Sequence, residues 1–99
     1  MSENYKFEQA KEKYFKMLEQ YVPIVARVHG NNHNEFHEVH KLFDTIINKT
    51  NDAGINPNLD EEFKQLREIT NDYKVPNDVC ESYAAVYNML SEVDKAYHS

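Results

Sequence analysis

Four of the five histidines in this 99-residue chain, His29, His33, His37 and His40, fall within twelve residues. On a helix, His33 and His37 are one turn apart, and so are His37 and His40. Either pair can present two imidazoles from one face to a single metal ion. Glu38 supplies a carboxylate within the same run, and Glu35 a second. By helical-wheel angle His40 borders the apolar face near Phe36, Phe43 and Ile47, whereas His33 and His37 turn toward solvent. Three readings are therefore open for the cluster: surface and boundary histidines without a ligand role, a metal site drawn from His29, His33, His37, Glu38 and His40, or a pH switch.

The single cysteine, Cys80, is placed by the hydrophobic pattern in the first turn of a fourth helix. Backbone N–H groups there favour anions, so the position suits a reactive thiol. Its neighbours Val79, Tyr83 and Ala84 equally suit a small core residue, and this is the reading adopted. A single thiol forms no internal disulfide, as is usual in a reducing compartment. The chain contains no H-E-x-x-H, no P-loop and no G-x-G-x-x-G; nor does it show a nucleophile–base pair in sequence. No enzymatic activity is expected.

The elements that must position these groups are helices. With two glycines and three prolines, the chain has too few turn residues to punctuate many short strands. Phe7, Ala10, Tyr14, Leu18, Tyr21, Val25 and Val28 recur at steps of three and four and predict a first helix over about 4–28. Pro23 removes one backbone donor and predicts a kink or break near Glu19–Pro23, the phase of the pattern favouring a kink. Gly30-Asn31-Asn32 closes this helix. Asn32 with Glu35 reads as a capping box opening a second helix over 33–49, with Phe36, Val39, Phe43, Ile46 and Ile47 on its buried face.

Thr50 to Pro57 is the clearest loop. Asn58 with Glu61 opens a third helix over 58–72, carrying Leu59, Phe63, Leu66, Thr70 and Tyr73. Asp78 with Glu81 opens the fourth, over 78–97, carrying Val79, Tyr83, Val86, Tyr87, Leu90, Val93 and Tyr97. Short connections favour antiparallel neighbours, so the expected architecture is an all-α, up-down-up-down four-helix bundle filling one domain, 1–99.

Composition narrows the partners. Hydrophobic residues are 40% and charged residues 28% of the chain, a globular balance. The net charge of −6 is concentrated in the second half: residues 1–50 hold seven acids and seven bases, residues 51–99 ten acids and four bases. No basic run matches a phosphate backbone or an anionic membrane surface, so neither nucleic acid nor membrane is an expected partner. The charged N-terminus lacks an apolar signal core, and no stretch reaches the roughly 18–20 apolar residues of a bilayer span. The expected location is cytoplasmic. A core this small, rich in aromatic residues, gains from pairing, so a homodimer or an unidentified protein partner is expected.

Two stretches resemble a known family. Val25-Ala26-Arg27-Val28-His29-Gly30 followed by His33-Asn34-Glu35-Phe36 is similar to the first-helix ending in the haemerythrin-like domain of di-iron iron-sulfur cluster repair proteins. Leu66 to Cys80, read as LREITNDYKVPNDVC, is similar to that domain's third helix, Pro-containing loop and fourth-helix start. Ala53-Gly54 resembles part of its His-Asp-x-Ala-Gly segment. The matches cover roughly half the chain, in the family's order. The resemblance implies a four-helix bundle holding two irons through histidines and bridging glutamates in His-x-x-x-Glu pairs, and a role in repairing damaged iron-sulfur centres.

The chain departs from that ligand set. Asn48-Lys49-Thr50 stands where the first His-x-x-x-Glu pair would continue, and Asn51-Asp52 where a histidine would precede Ala53-Gly54. Tyr97-His98-Ser99 stands where the second pair would begin, and Glu8 falls near the first-helix ligand position. His29 matches a histidine recurring in the family without taking a ligand role. The resemblance thus implies a shortened relative whose metal-binding end is missing. The leading expectation is a haemerythrin-like binding or scaffolding module with no cofactor. The alternative is an iron-binding protein of iron-sulfur repair or stress response, built on the His29–His40 cluster.

Overall fold

The computed structural model describes residues 2–53 and 58–98. Four helices follow one another: α1 (Ser2–His29), α2 (Glu35–Ala53), α3 (Asp60–Ile69) and α4 (Glu81–Tyr97). They form an all-α four-helix bundle with principal extents of 40 × 22 × 22 Å. Side-chain contacts fix the directions. His29 at the end of α1 meets Cys80 at the start of α4, while Phe7 near the start of α1 packs on Tyr97 at the end of α4. The Leu59 N–H donates to the Tyr97 hydroxyl, bringing the start of α3 to the end of α4. Neighbours in sequence therefore run antiparallel.

α1 continues without a break through Pro23. The proline is exposed, so the Glu19 carbonyl that loses its N–H partner can turn to water, and the burial of Val22, Val25 and Ala26 on either side offsets the cost. The core seam of α1 is Phe15, Leu18, Val22, Val25 and Ala26, all buried. Phe7, Ala10, Leu18 and Val25 are in the core as expected, whereas Tyr14 and Tyr21 only border it. Val28 is a correction: it is 61% exposed.

α2 begins at Glu35, two residues later than expected, and runs to Ala53, through residues expected to be loop. Thr50 is the reason: its methyl-bearing side chain is buried, and its hydroxyl donates to the Ile46 carbonyl at 2.7 Å, satisfying itself within the helix. Residues 54–57, the rest of that expected loop, lie outside the described residues. Phe36, Val39, Phe43 and Ile46 are buried as expected, with Ile47 at the margin.

α3 ends at Ile69, short of the expected 72. Thr70 donates its hydroxyl to the Leu66 carbonyl and accepts the Tyr73 N–H, and Asp72 N–H reaches back to the Arg67 carbonyl at 2.7 Å. Asn71, Asp72 and Tyr73 then take left-handed backbone, with φ of 55°, 61° and 63°. Asn and Asp tolerate that region; a tyrosine is strained there and must be held by something else.

The three expected capping boxes are not formed as such. Asn58 accepts the Asp60 N–H at 3.3 Å, but Leu59 is the N-cap residue of α3 and Glu61 accepts from Gln65 instead. Cys80, not Asp78, caps α4. Glu35 and Asp78 both turn to His33, for reasons of tertiary packing that the local pattern does not contain.

Candidate functional site

The end of the bundle where α1 stops and α4 starts gathers most of the titratable side chains singled out by the sequence. Gly30 makes the sharp exit from α1 possible. Its N–H donates to the Ala26 carbonyl, and a Cβ there would collide with that same carbonyl oxygen and with the His37 ring. The two following turns hang on the His29 carbonyl, which accepts from Asn32 N–H and His33 N–H. This geometry turns His33 inward and leaves His29 facing α4.

Tyr83, fully buried on α4, is the hub. Its ring meets His29 edge-on at 5.5 Å and His33 at 5.3 Å, and it packs on Phe36 at 4.9 Å. Its hydroxyl donates to Glu35 Oε2 at 3.3 Å and shares a 3.1 Å hydrogen bond with Tyr87. Burial, then the Tyr87 bond and the Glu35 charge, push the Tyr83 phenol far above its ordinary range. Tyr87 is pushed up as well, by burial first and by the Glu35 charge, with the Tyr83 bond opposing. Both phenols are therefore proton-holding hydrogen-bond groups, not bases.

His33 donates from Nδ1 to Glu35 Oε2 at 3.2 Å. Its Nε2 lies 3.2 Å from Asp78 Oδ1, close enough for an ion-pair contact but without hydrogen-bond alignment. His37 is exposed beside Gly30, and His40 pairs across one turn with Asp44 at 3.5 Å on the half-exposed flank of α2. Glu38 is exposed. The structure thus parts the five candidate ligands. His29 goes to Cys80, His33 to Glu35 and Asp78, His40 to Asp44, and His37 and Glu38 to the surface. Among the described residues, no three His, Cys, Asp or Glu side chains converge closely enough to hold a metal ion.

Cys80 overturns the core reading given to it. It is exposed, and its Sγ lies 3.1 Å from His29 Nε2, fifty-one residues away in sequence. Spacing along a single helix has no means of announcing such a contact. Beside the hub, a cleft of about 260 Å³ is lined by Glu35, Thr70, Asn71, Lys74, Val75 and Tyr87. It falls below the size of pockets that enclose small organic ligands.

A second polar network surrounds Asp94 of α4, which is buried. It accepts the Tyr73 hydroxyl at 2.6 Å, faces His98 Nδ1 at 2.8 Å and lies 3.5 Å from Arg67 Nε. Burial and this bond to a carboxylate push the Tyr73 phenol far above its ordinary range. This is the contact that holds Tyr73 in left-handed backbone.

One surface also stands out. The exposed large hydrophobics among the described residues, Tyr5, Met17, Ile24 and Val28, all belong to α1. With Tyr14 and Tyr21 at the core margin, the last three complete a stripe at positions 14, 17, 21, 24 and 28. It lies about 100° around the helix from the core seam. Its solvent-side rim is Lys6, Lys13, Gln20 and Arg27, one residue per seven, all exposed and none acidic. Lys13 sits over the Tyr14 ring at 5.3 Å. No helix among the described residues is long and apolar enough to cross a membrane.

No family model, curated protein or solved structure matches the chain.

Proposed function

We propose that the chain is a non-enzymatic helical binding module that docks an acidic amphipathic helix along the outer stripe of α1. The observation that carries this is Met17, Ile24 and Val28, 46%, 48% and 61% exposed, aligned at seven- and four-residue steps on one face. Single exposed apolar side chains are ordinary; an aligned row beside a regular basic rim is the pattern of a helix-in-groove or coiled-coil seam. Charge selects the occupant. Lys6, Lys13 and Arg27 favour acids on the flank of the incoming helix. An antiparallel pairing of two copies about Gln20 would instead set Lys13 against Arg27 of the other copy, which disfavours a homodimer through this face.

In architecture we read the module as haemerythrin-like without its di-iron chemistry. The up-down helix order supports the architecture, and Asn48-Lys49-Thr50, standing where the first His-x-x-x-Glu pair would continue, supports the loss of the di-iron chemistry. The iron-binding alternative finds no support in the placement of the five candidates within one chain: His29, His33 and His40 go to separate partners, and His37 and Glu38 are exposed.

The test uses two synthetic amphipathic peptides with leucine seams, one flanked by glutamates and one by lysines, and reads binding by fluorescence anisotropy. The glutamate peptide is expected to bind, to weaken as salt rises and to be lost in Ile24→Lys. Equal binding of both peptides overturns the proposal. So does a dimer in sedimentation that Ile24→Lys dissolves, since a second copy would then be the occupant.

A further inference from the structure

We infer that Cys80 and His29 form a reactive thiol site that undergoes exchange with small neutral or cationic disulfides. The docking face plays no part in this inference. A fold that buries a cysteine for packing hides it from solvent; here Cys80 is exposed, and its sulfur meets an imidazole nitrogen that belongs to another helix. That imidazole is itself positioned. His29 is the last residue of α1, and its ring stands at 89° to the buried ring of Tyr83. Both hydrogen bonds of the Tyr83 hydroxyl go elsewhere, to Glu35 and Tyr87, so Tyr83 fixes His29 without taking its Nε2. Cys80 in turn is fixed at the N-cap of a seventeen-residue helix with extended backbone, φ −82° and ψ 174°.

The arrangement suits one kind of step. Cys80 Sγ attacks one sulfur of a disulfide R–S–S–R; the new Sγ–S bond forms as the S–S bond breaks. His29 Nε2 accepts the thiol proton and returns it to the departing sulfur, so the products are the Cys80 mixed disulfide and one thiol, R–SH. Cys80 is oxidised and the departing sulfur reduced, with no further reactant. Because the chain holds one cysteine, no second thiol displaces the adduct, and the mixed disulfide persists until an external thiol removes it.

Charge chooses among disulfides. The acidic neighbours of Cys80 along the chain are Asp78 and Glu81, both exposed, and Tyr83, whose ring meets His29, also meets His33 and Glu35. An anionic disulfide meets two exposed carboxylates, whereas a cationic one is drawn by them.

The test follows the mass gain of intact protein with cystamine, bis(2-hydroxyethyl) disulfide and oxidised glutathione between pH 5 and pH 9. The native protein is expected to react with cystamine roughly tenfold faster than the same chain in urea, and fastest with the cation, slowest with the anion. His29→Gln, which keeps a polar side chain but cannot shuttle the proton, is expected to lose that advantage and to show the simple pH profile of an isolated thiol. Tyr83→Phe is expected to give an intermediate rate, since it frees the ring that positions His29. A native rate at or below that of the unfolded chain overturns the inference without any variant. So does an unchanged rate in a folded His29→Gln protein, and a preference for oxidised glutathione overturns the charge assignment.

Discussion

The networks around Tyr83 and Asp94 are built from the same parts, a tyrosine, a carboxylate and a histidine, yet they are finished differently. Asp94 is 5% exposed and gathers Tyr73, His98 and Arg67 about its two oxygens. Glu35 is only half-buried, His33 Nδ1 and the Tyr83 hydroxyl both donate to its Oε2, and His33 Nε2 beside it lacks an aligned partner. A saturated, buried network is a structural clamp, because every group in it would be costly to release. An open one at the surface leaves groups that can change partners. The difference separates fold from function here: the clamp holds the strained Asn71–Tyr73 turn, while the open network borders the thiol.

The largest effect should come from breaking the clamp. Asp94→Ala leaves the buried Tyr73 hydroxyl without its acceptor and the left-handed turn without its anchor; a loss of about 3 kcal/mol in urea unfolding is expected. Glu35→Gln, which keeps a side-chain oxygen as acceptor for Tyr83, should cost under about 1 kcal/mol. Equal losses would erase the distinction between the two networks.

Alkali should open both, and the sign follows from the shifts. Tyr73, Tyr83 and Tyr87 hold their protons more tightly folded than unfolded, so the native state binds more protons wherever the unfolded phenols ionise. Their stabilisation is complete below the unfolded tyrosine value of about 10 and is lost as pH rises above it. Unfolding midpoints should hold level from the tyrosines' side up to that pH and then fall. Tyr73→Phe should flatten the fall by removing one of the three protons. A 295 nm phenol titration in which Tyr73→Phe leaves the high-pH part of the folded protein's curve unchanged would contradict this.

What could be read from residues alone follows the same division. The four helices were legible because period and turn residues are local; the residues expected on the α3 face, Leu59, Phe63, Leu66, Thr70 and Tyr73, are all buried, although the helix itself ends at Ile69 and the last two are held beyond it. α1 was read half a step out. Its expected face, 7-10-14-18-21-25-28, slides between two apolar stripes that run side by side, taking Leu18 and Val25 from the seam and Tyr14, Tyr21 and Val28 from the outside. Phe15 and Val22 were missed for that reason. The end of α2 depended on burying Thr50, and the end of α3 on Asp94, twenty-one residues beyond Tyr73. The His29–Cys80 pair joins helices from opposite ends of the chain. The histidine cluster drew attention to the correct end of the bundle, but the fold pairs its members with Cys80, Glu35, Asp78 and Asp44, which the spacing of histidines cannot name.

The smallest effect is the one that tests the two stripes of α1 against each other. Val25 is 1% exposed and Val28 61%, although they lie three residues apart and both fit the sequence period. Val25→Ala removes packed methyl groups from the seam and should cost about 2 kcal/mol. Val28→Lys places its charge in water, one residue beyond Arg27, and should change stability by no more than about 0.5 kcal/mol. The same substitution extends the basic rim across the stripe, so it should weaken docking of the glutamate-flanked peptide while the fold stays intact. A Val28→Lys protein that unfolds like Val25→Ala would mean that Val28 is covered by its own chain. The outer stripe would then be a second core seam, and the bundle would have no free face on α1.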